Sequence, residues 1–507
     1  MKKYILRAVS VLLFVVLLLG CLSKASGILE RKDSQYKYKD FYDQKEDFDV
    51  LFMGTSHVIN AVFPMEMWDN YGIVSYNFGG HGNQMATSYW VMMNALQYTT
   101  PKLMVIDVLE VGRDLKVPHD EDQSRLSLDS MPFSKVKVEA IKDLFGDKEL
   151  IGTEREDLYE KRWEFLFDFG KYHSRWNDLK KEDLDPSYSS LEKGAETRVR
   201  VDEPMDYYIV PREIKLEDNT VGAKYLRKMI EECQSRGIEV LLTHVPYPAE
   251  EWHQEGGNLA YDIAEEYGVD YINFVAMDNV ANYNTDCYDS HGHLNASGGK
   301  RVSDYLGKYI MDNYDIPDRR EDAAYAGWHQ DFQEYLDMKT NMLHNENDVY
   351  NALMLLQDDD FDAILYVNDK TAVSRDPKIW NLITSILGEQ REFLEEGEYS
   401  DIFAVVSHDD ALSEIAVGRT HSNNPLVEAD TVWGKVTYRN SVDGERSIRI
   451  NEDEENLLDG YVERYDDDEP HDEPAVSVWV YDNKSHERIF RLFWNSAEGA
   501  HTVEKLN

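Results

Sequence analysis

From Ala8 to Leu22 the chain is apolar apart from Ser10 and Gly20, and the run follows directly on Lys2, Lys3 and Arg7. A basic end before an apolar stretch implies an export signal, a membrane anchor, or both. The 15 residues of the run make a helix of about 22 Å, short of the roughly 30 Å hydrocarbon core unless Tyr4 to Leu6 join it and Arg7 snorkels. Leu18-Leu19-Gly20-Cys21 also resembles a bacterial lipoprotein box, although Leu19 is not the usual small or β-branched residue. An uncleaved anchor is favoured over a lipidated Cys21 and over simple secretion. In each case the basic end stays in the cytoplasm and the body lies outside the cell membrane. Residues 28–46 are polar, rich in Lys, Asp and Tyr, and read as a tether after a signal or anchor at 1–27.

Beyond the tether the pattern changes to short apolar runs separated by helical periodicity. Phe48 to Gly54, Ile73 to Phe78 and Leu103 to Leu109 read as buried strands, with helices over Pro64 to Asn70 and Gln84 to Leu96. The pattern resumes with a helix at Ala223 to Arg236, a strand at Ile238 to His244, a helix at Asn258 to Tyr267, a strand at Tyr271 to Phe274 and a closing helix from Gly299 to Asn313. Alternating strand and helix predicts an α/β fold, a parallel sheet sandwiched by helices. Residues 115–216 form a helical insertion, which reads as an extra subdomain with its own small core or as a substrate wall. A helical linker at 314–345 and an acidic module at 346–507, of α+β or β-sandwich type, complete the domain plan. Its strand-like runs are Ala363 to Val367, Ile402 to Val406, Ser447 to Ile450 and Val476 to Tyr481.

Composition narrows the class. The 507 residues carry 97 Asp+Glu against 53 Lys+Arg, a formal net charge of −44, which argues against nucleic acid as a partner because phosphate binding relies on basic surface. With 42% hydrophobic residues the chain has material for packed cores, and its length predicts more than one domain. Only Cys21, Cys233 and Cys287 occur, so there is no disulfide scaffold, and the last two are expected as free thiols without a catalytic part.

Candidate chemistry lies at the two ends of the α/β segment. Gly54-Thr55-Ser56-His57 follows the first strand, where a strand-to-helix turn presents Ser56 at the carboxyl edge of the sheet, the usual ligand edge of such folds. A helix N-terminus there offers N–H groups to an oxyanion, but a serine before a helix is more often a simple N-cap. Near the other end, Asp286-Cys287-Tyr288-Asp289-Ser290-His291-Gly292-His293-Leu294-Asn295 sets carboxylates and imidazoles on one loop. A hydroxyl nucleophile needs an imidazole base, and the imidazole needs a carboxylate to hold its tautomer. No other ligand motif accompanies these residues, so neither a metal nor a cofactor is called for.

Together the motifs resemble the SGNH (GDSL-like) hydrolase superfamily over approximately residues 47–313. The resemblance rests on Gly54-Thr55-Ser56-His57, on Asn77-Phe78-Gly79-Gly80 and on the closing Asp-x-x-x-His-Leu-Asn. More narrowly, the chain is similar to the membrane-anchored bacterial branch related to D-alanyl transfer proteins of teichoic acids and to alginate-type O-acetylation proteins. The resemblance implies Ser56 as nucleophile, His293 as base and Asp289 as its orienting carboxylate. The family usually sets Asp three residues before His, whereas Asp289 stands four before His293, which keeps Asp286 and His291 as alternatives. The N–H groups of Ser56 and Gly80 would form the oxyanion hole. The usual third-block asparagine is replaced by Asp107-Val108-Leu109-Glu110, leaving Asn83 or Gln84 to supply the missing donor.

His57, His81 and His244 stand near the same edge as substrate contacts or as plain loop histidines. In the insertion, Lys171-Tyr172-His173-Ser174-Arg175-Trp176 reads either as a carbohydrate-facing surface that includes His173 or as a buried helix face with an arginine cap. The implied function is a serine esterase or O-acyltransferase acting outside the membrane on an acylated cell-envelope polysaccharide, a transferase working beside a membrane-bound O-acyltransferase. The competing reading is a non-catalytic envelope protein that binds glycans or assists assembly.

Overall fold

The computed structural model describes residues 2–30, 36–43, 47–118, 120–151, 156–167, 169–184, 191–202, 207–367, 373, 376–388, 400–408, 414–419, 426–440, 446–450, 453–455, 476–494 and 504–506. They fall into two compact units. The first comprises 1–197, 206–280 and 301–332, the second 198–205, 281–300 and 333–507. The loop bearing Asp289 and His293 therefore groups with the C-terminal residues, whereas the sequence reading set it in the α/β domain.

The first unit is built on five parallel strands, β1 (Val50–Gly54), β2 (Ser75–Gly79), β3 (Leu103–Asp107), β4 (Glu239–His244) and β5 (Asp270–Asn273), in the order β2-β1-β3-β4-β5. Every residue of β1, β2 and β3 is buried, because helices cover both faces, and this is why the strands read as unbroken apolar runs. Val50 pairs with Ser75 on one side and with Leu103 on the other. After β1 the sheet grows toward β2 and then, from β3, in the opposite direction. The carboxyl ends of β1 and β3 thus flank the topological switch point, where open α/β sheets form their ligand crevice. Crossovers are made by helices Ser56–Ala61 and Pro64–Tyr71, Met85–Ala95, Val221–Ser235 and Glu251–Tyr267. The exposed side of β2 is covered by 191–197, where the Asn77 N–H donates to Lys193 O at 2.9 Å.

Two N-terminal expectations change. The apolar helix runs from Lys2 to Leu29, and its 28 residues span about 42 Å at the usual rise, enough to cross a membrane. Its most apolar window has a mean hydropathy of 2.7 and is nowhere buried. The tether is not a solvated linker in its described part, because Tyr36–Asp43 is a helix whose Tyr38 and Phe41 are buried. The Phe41 ring meets Phe78 at 4.6 Å and Phe48 at 5.3 Å, so this helix completes the core over β1 and β2.

The insertion has a small core of its own. Arg125 is fully buried, holds Asp129 at 3.3 Å and lies 4.4 Å over the Phe165 ring, which stacks on Phe145. Tyr172 donates to Asp129 at 2.7 Å, so it belongs to this core. Asp143 ties the insertion to the α/β body, accepting from Trp90 Nε1 at 2.8 Å and from Tyr225 Oη.

The second unit contains two antiparallel sheets. One has six strands in the order β15-β14-β13-β6-β7-β8, with β6 Phe361–Val367, β7 Ser400–Val406, β8 Glu414–Arg419, β13 Val476–Asp482, β14 Arg488–Trp494 and β15 Glu504–Leu506. The other is β12-β11-β10-β9, with β9 Leu426–Thr431, β10 Gly434–Asn440, β11 Arg446–Ile450 and β12 Asp453–Glu455. Alternate residues of the large sheet serve different layers, as the period of two requires. Ala363, Leu365, Val478 and Val480 pack with helices Val349–Leu355 and Pro377–Leu387, whereas Ile364, Tyr366 and Trp479 pack with Val436 and Tyr438 of the small sheet. In the acidic run Asp358 to Asp360, Lys300 and Lys339 both pair with Asp358 and Asp360. Asp466 to Glu469 lies outside the described residues. Cys233 and Cys287 are free and buried, and burial pushes each thiol up to about 12.

Replacing Phe41 by Ala should cost about 3–5 kcal/mol and expose β2 to faster hydrogen exchange. Unchanged denaturation and exchange would return residues 36–43 to the status of a tether.

Candidate active site

β1 ends at Gly54 because nothing larger fits: a Cβ there would stand 2.5 Å from Val58 Cγ2 and 2.8 Å from Asp107 Cβ. Thr55, extended at φ −95° and ψ −167°, is the N-cap of helix Ser56–Ala61, and its Oγ1 accepts the His57 N–H at 3.2 Å. Capping is thus done by Thr55, and Ser56 is the first helical residue, half-buried at the carboxyl end of β1. The cap reading considered for Ser56 does not describe it. Asn77 fixes the helix from β2, with Nδ2 donating to Val58 O and Val62 O at 2.8 Å each and Oδ1 accepting the Gly79 N–H at 2.8 Å.

The loop after β2 runs beside this turn. The Gly80 N–H donates to Gly54 O at 3.1 Å, so that donor is already engaged. A Cβ on Gly80 would fall 2.1 Å from Asn83 Nδ2, placing the Asn83 amide directly over the glycine. Asn83 Oδ1 accepts from Ser127 Oγ at 2.6 Å, whereas Nδ2 is buried and makes no hydrogen bond. A buried donor without a partner costs about 1–3 kcal/mol, and such exceptions belong to functional sites more often than to ordinary cores. Gln84 is differently committed, with Nε2 donating to Gly82 O at 3.2 Å and its side chain bonded to Glu110. Of the two residues named for the missing donor, Asn83 has the available N–H. Tyr38 Oη donates to Gly79 O at 2.6 Å, so helix Tyr36–Asp43 also braces this loop. His81 sits 3.6 Å from Glu196.

Where the third-block asparagine was looked for, two carboxyls are buried instead. Asp107 accepts Leu109 N–H at 3.1 Å and Val245 N–H at 2.9 Å, yet burial, with Glu110 adding to it, pushes it up to about 7. Burial also raises Glu110 to about 7, against the opposing pull of Arg113 and the bond from Gln84. Across the sheet, His244 at the end of β4 is fully buried, neither ring nitrogen has a hydrogen bond, and burial lowers it to about 3. It is therefore a neutral imidazole rather than a cationic contact. The Tyr247 ring joins it to the serine turn, with ring centres 5.8 Å from His244 and 4.5 Å from His57. His173 is exposed in the insertion, and its Nδ1 lies 2.8 Å from Gly170 O.

The second unit carries a hydrogen-bonded histidine and carboxylate. His293 Nδ1 lies 2.9 Å from Asp289 Oδ2 and 3.1 Å from Oδ1, and the His293 backbone N–H also reaches Oδ1 at 3.2 Å. Burial acts to raise Asp289, but the His293 ring and the backbone N–H groups of His293 and His291 outweigh it and hold the carboxyl well below its usual range. The four-residue spacing is absorbed by a turn in which Gly292 takes φ +77° and donates to Asp289 O at 3.1 Å. Asp286 is occupied locally: fully buried, it accepts from Asn282 N–H at 2.7 Å and Thr285 Oγ1 at 2.9 Å. His291 is exposed and its Nδ1 is 4.0 Å from Asp289. Between the candidates, the observed pair is Asp289 with His293. Leu294 bridges back to Cys287, and Asn295 Nδ2 donates to Thr285 O at 2.7 Å, which closes the loop.

Sheet and helices define a doubly wound α/β protein with a serine turn at its switch point. No family model matches the chain, and no curated protein matches it. Among solved structures it is similar to a protein described as a lipolytic protein of the G-D-S-L family from Desulfitobacterium hafniense, at 13% identity over 51% of this chain and 97% of that one, with a TM-score of 0.26. It is also similar to one described as an acylhydrolase from Bacteroides fragilis, at 12% identity over 56% of this chain and 99% of that one, again with a TM-score of 0.26. Those scores are too low to transfer a role to any residue.

The raised carboxyls set a pH dependence. Asp107 and Glu110 hold their protons more tightly folded than unfolded, so their share of stability is full below the ordinary carboxyl pKa of about 4 and is lost as pH rises through about 7. Thermal unfolding of Glu110→Gln at about pH 5 and about pH 8 should show a smaller loss than wild type. Equal losses in the two proteins would contradict the assignment.

Proposed function

We propose that the protein is a serine esterase or O-acyltransferase that works outside the cell membrane on an acylated cell-envelope polysaccharide. Ser56 is its nucleophile, His293 its base and Asp289 the carboxylate that orients the base. The observation that carries this reading is the Asp289–His293 pair. With Nδ1–H donating to Asp289 at 2.9 Å, the neutral ring keeps its lone pair on Nε2, the tautomer a general base requires. Support on the serine side comes from Thr55, which takes the capping duty, and from the Asn83 amide over Gly80.

In the first half-reaction Ser56 Oγ attacks the ester carbonyl while His293 Nε2 accepts the hydroxyl proton, and the Ser56 N–H and Asn83 Nδ2 stabilise the oxyanion. The C–O bond to the sugar breaks, the leaving oxygen takes the proton back from His293, and the acyl group remains on Ser56. In the second half-reaction water or another hydroxyl attacks the acyl-serine with the same proton path. Hydrolysis and transfer share the acyl-serine and differ in that acceptor; in a transferase the acyl group handed over by a membrane-bound O-acyltransferase also replaces the sugar ester as donor in the first half-reaction, and the carrier leaves with the proton from His293. Nothing in this chemistry calls for a metal or a cofactor.

One observation favours the non-catalytic alternative, a glycan-binding or assembly protein: the Gly80 N–H is spent on Gly54 O, which removes one oxyanion donor.

Fluorophosphonate labelling of the full chain in detergent separates the two readings. The wild type should form an adduct and Ser56→Ala none, and an unlabelled wild type that also leaves a small acetyl ester intact refutes the enzyme. Asp289→Asn should lower turnover by on the order of 10²–10⁴-fold, and Asn83→Ala by about 10²–10³-fold in kcat with little change in KM. An Asn83→Ala enzyme of normal kcat would move the oxyanion donor elsewhere.

A further inference from the structure

The segment 163–184 takes no part in the proposed chemistry, and its local contacts tie it to the apolar N-terminal helix. Arg175 Nη1 donates to Leu29 O at 2.7 Å and also to Glu30 O, so its guanidinium caps the last carbonyls of the apolar N-terminal helix. Asp183, itself buried, braces the clamp by accepting from Arg175 Nη2 at 3.2 Å and from the Lys180 N–H at 2.9 Å. Helix Phe169–Tyr172, the turn His173–Asn177 and helix Lys181–Leu184 all pack against the N-terminal helix. That packing covers only its end: Leu22, Ala25, Ser26 and Gly27 are half-buried and Leu29 is buried, whereas Tyr4 to Leu19 project freely.

Depth follows from the helix rise. About 20 residues span the hydrocarbon core, so a helix entering near Lys3 leaves it near Leu22, and Leu29 stands about 10 Å further along the axis. If the chain is instead held by a lipid on Cys21, the same stretch starts at the membrane surface. Either way the Arg175 clamp sits at headgroup depth.

At that depth the segment exposes large apolar side chains. Trp176, next to the clamp, is 65% exposed, Leu184 64%, Trp163 45%, Phe167 43% and Leu179 41%. Single exposed apolar residues need no explanation, but five within 22 positions do, and Trp176 and Leu184 stand on the elements that pack against the end of a membrane-length helix. Tryptophan and phenylalanine favour the membrane interface, where an apolar ring meets acyl chains and polar groups stay wet. Leucines at 179 and 184 fit lipid better than sugar. Within 163–184 four Lys and Arg stand against five Asp and Glu, so the segment is nearly neutral and does not require anionic lipid.

We infer that residues 163–184 form a platform that rests in the lipid headgroup layer beside the emerging N-terminal helix, with Trp176 and Trp163 dipping toward the acyl chains. The platform holds the first unit at a set height and orientation over the bilayer.

The test uses the full chain reconstituted into phosphatidylcholine vesicles with acyl chains either brominated or plain. Brominated lipid should quench part of the wild-type tryptophan emission, and Trp163→Phe with Trp176→Phe should remove most of that quenched part, because phenylalanine keeps the contact without reporting it. Leu179→Asp with Leu184→Asp, which leaves every tryptophan in place, should also reduce quenching several-fold. Unchanged resistance to trypsin in both variants shows that the fold persists. Equal quenching in wild type and variants overturns the inference. No quenching in vesicles, with 163 and 176 shielded from modification in native membranes, also overturns it and assigns the face to a membrane protein instead.

Discussion

One amide holds the serine turn in place. The helix that starts at Ser56 has only six residues, far below the length at which a helix is stable in water. Asn77, fully buried in β2, answers that weakness by donating to two of its last carbonyls and by accepting the N–H of Gly79. Strand and helix are thereby locked in one register, and the close approach at Gly54 follows, since β1 must pass within contact of both Val58 and Asp107. Ser303, whose Oγ accepts the Phe63 N–H at 2.7 Å, secures the chain just beyond the helix.

Around this turn, burial sorts titratable groups by what surrounds them. Asp107 and Glu110 are pushed toward neutrality because desolvation exceeds the help their donors give, and His244 is neutral for the same reason. Asp289 shows the opposite outcome, because an imidazole and two backbone N–H groups outweigh its burial. The chain's acidity of −44 is therefore not uniform in effect. Part of it is pushed toward neutrality by burial near the carboxyl end of β3, part is paired with Lys300 and Lys339, and part is exposed.

The N-terminal segment is part of the fold rather than a leash. Phe41 fills the core above β2, and Tyr38 donates to Gly79 O in the loop that carries Asn83. Arg175 clamps the preceding helix at Leu29 and Glu30. Residues 36–43 thus pack against the strand and loop of the candidate site, which a flexible tether would not do.

What the amino-acid order determined was whatever depends on neighbours in the chain. Strands buried on both faces announce themselves as apolar runs, so β1 to β4 were legible, whereas β9 and β10, with Glu428, Asp430, Lys435 and Arg439 interleaved, were not. The Asp289–His293 pair was readable because four residues of loop can close it. Tertiary structure alone decided the rest. Only packing shows that Thr55 rather than Ser56 is the cap, that Gly80 spends its N–H on Gly54, and that Asn83 keeps an unpaired donor while Gln84 does not. The physical reason is that desolvation and hydrogen-bond partnership are properties of a surrounding shell. That shell is assembled from residues such as Tyr38, Asn83 and Ser127, which lie far apart along the chain.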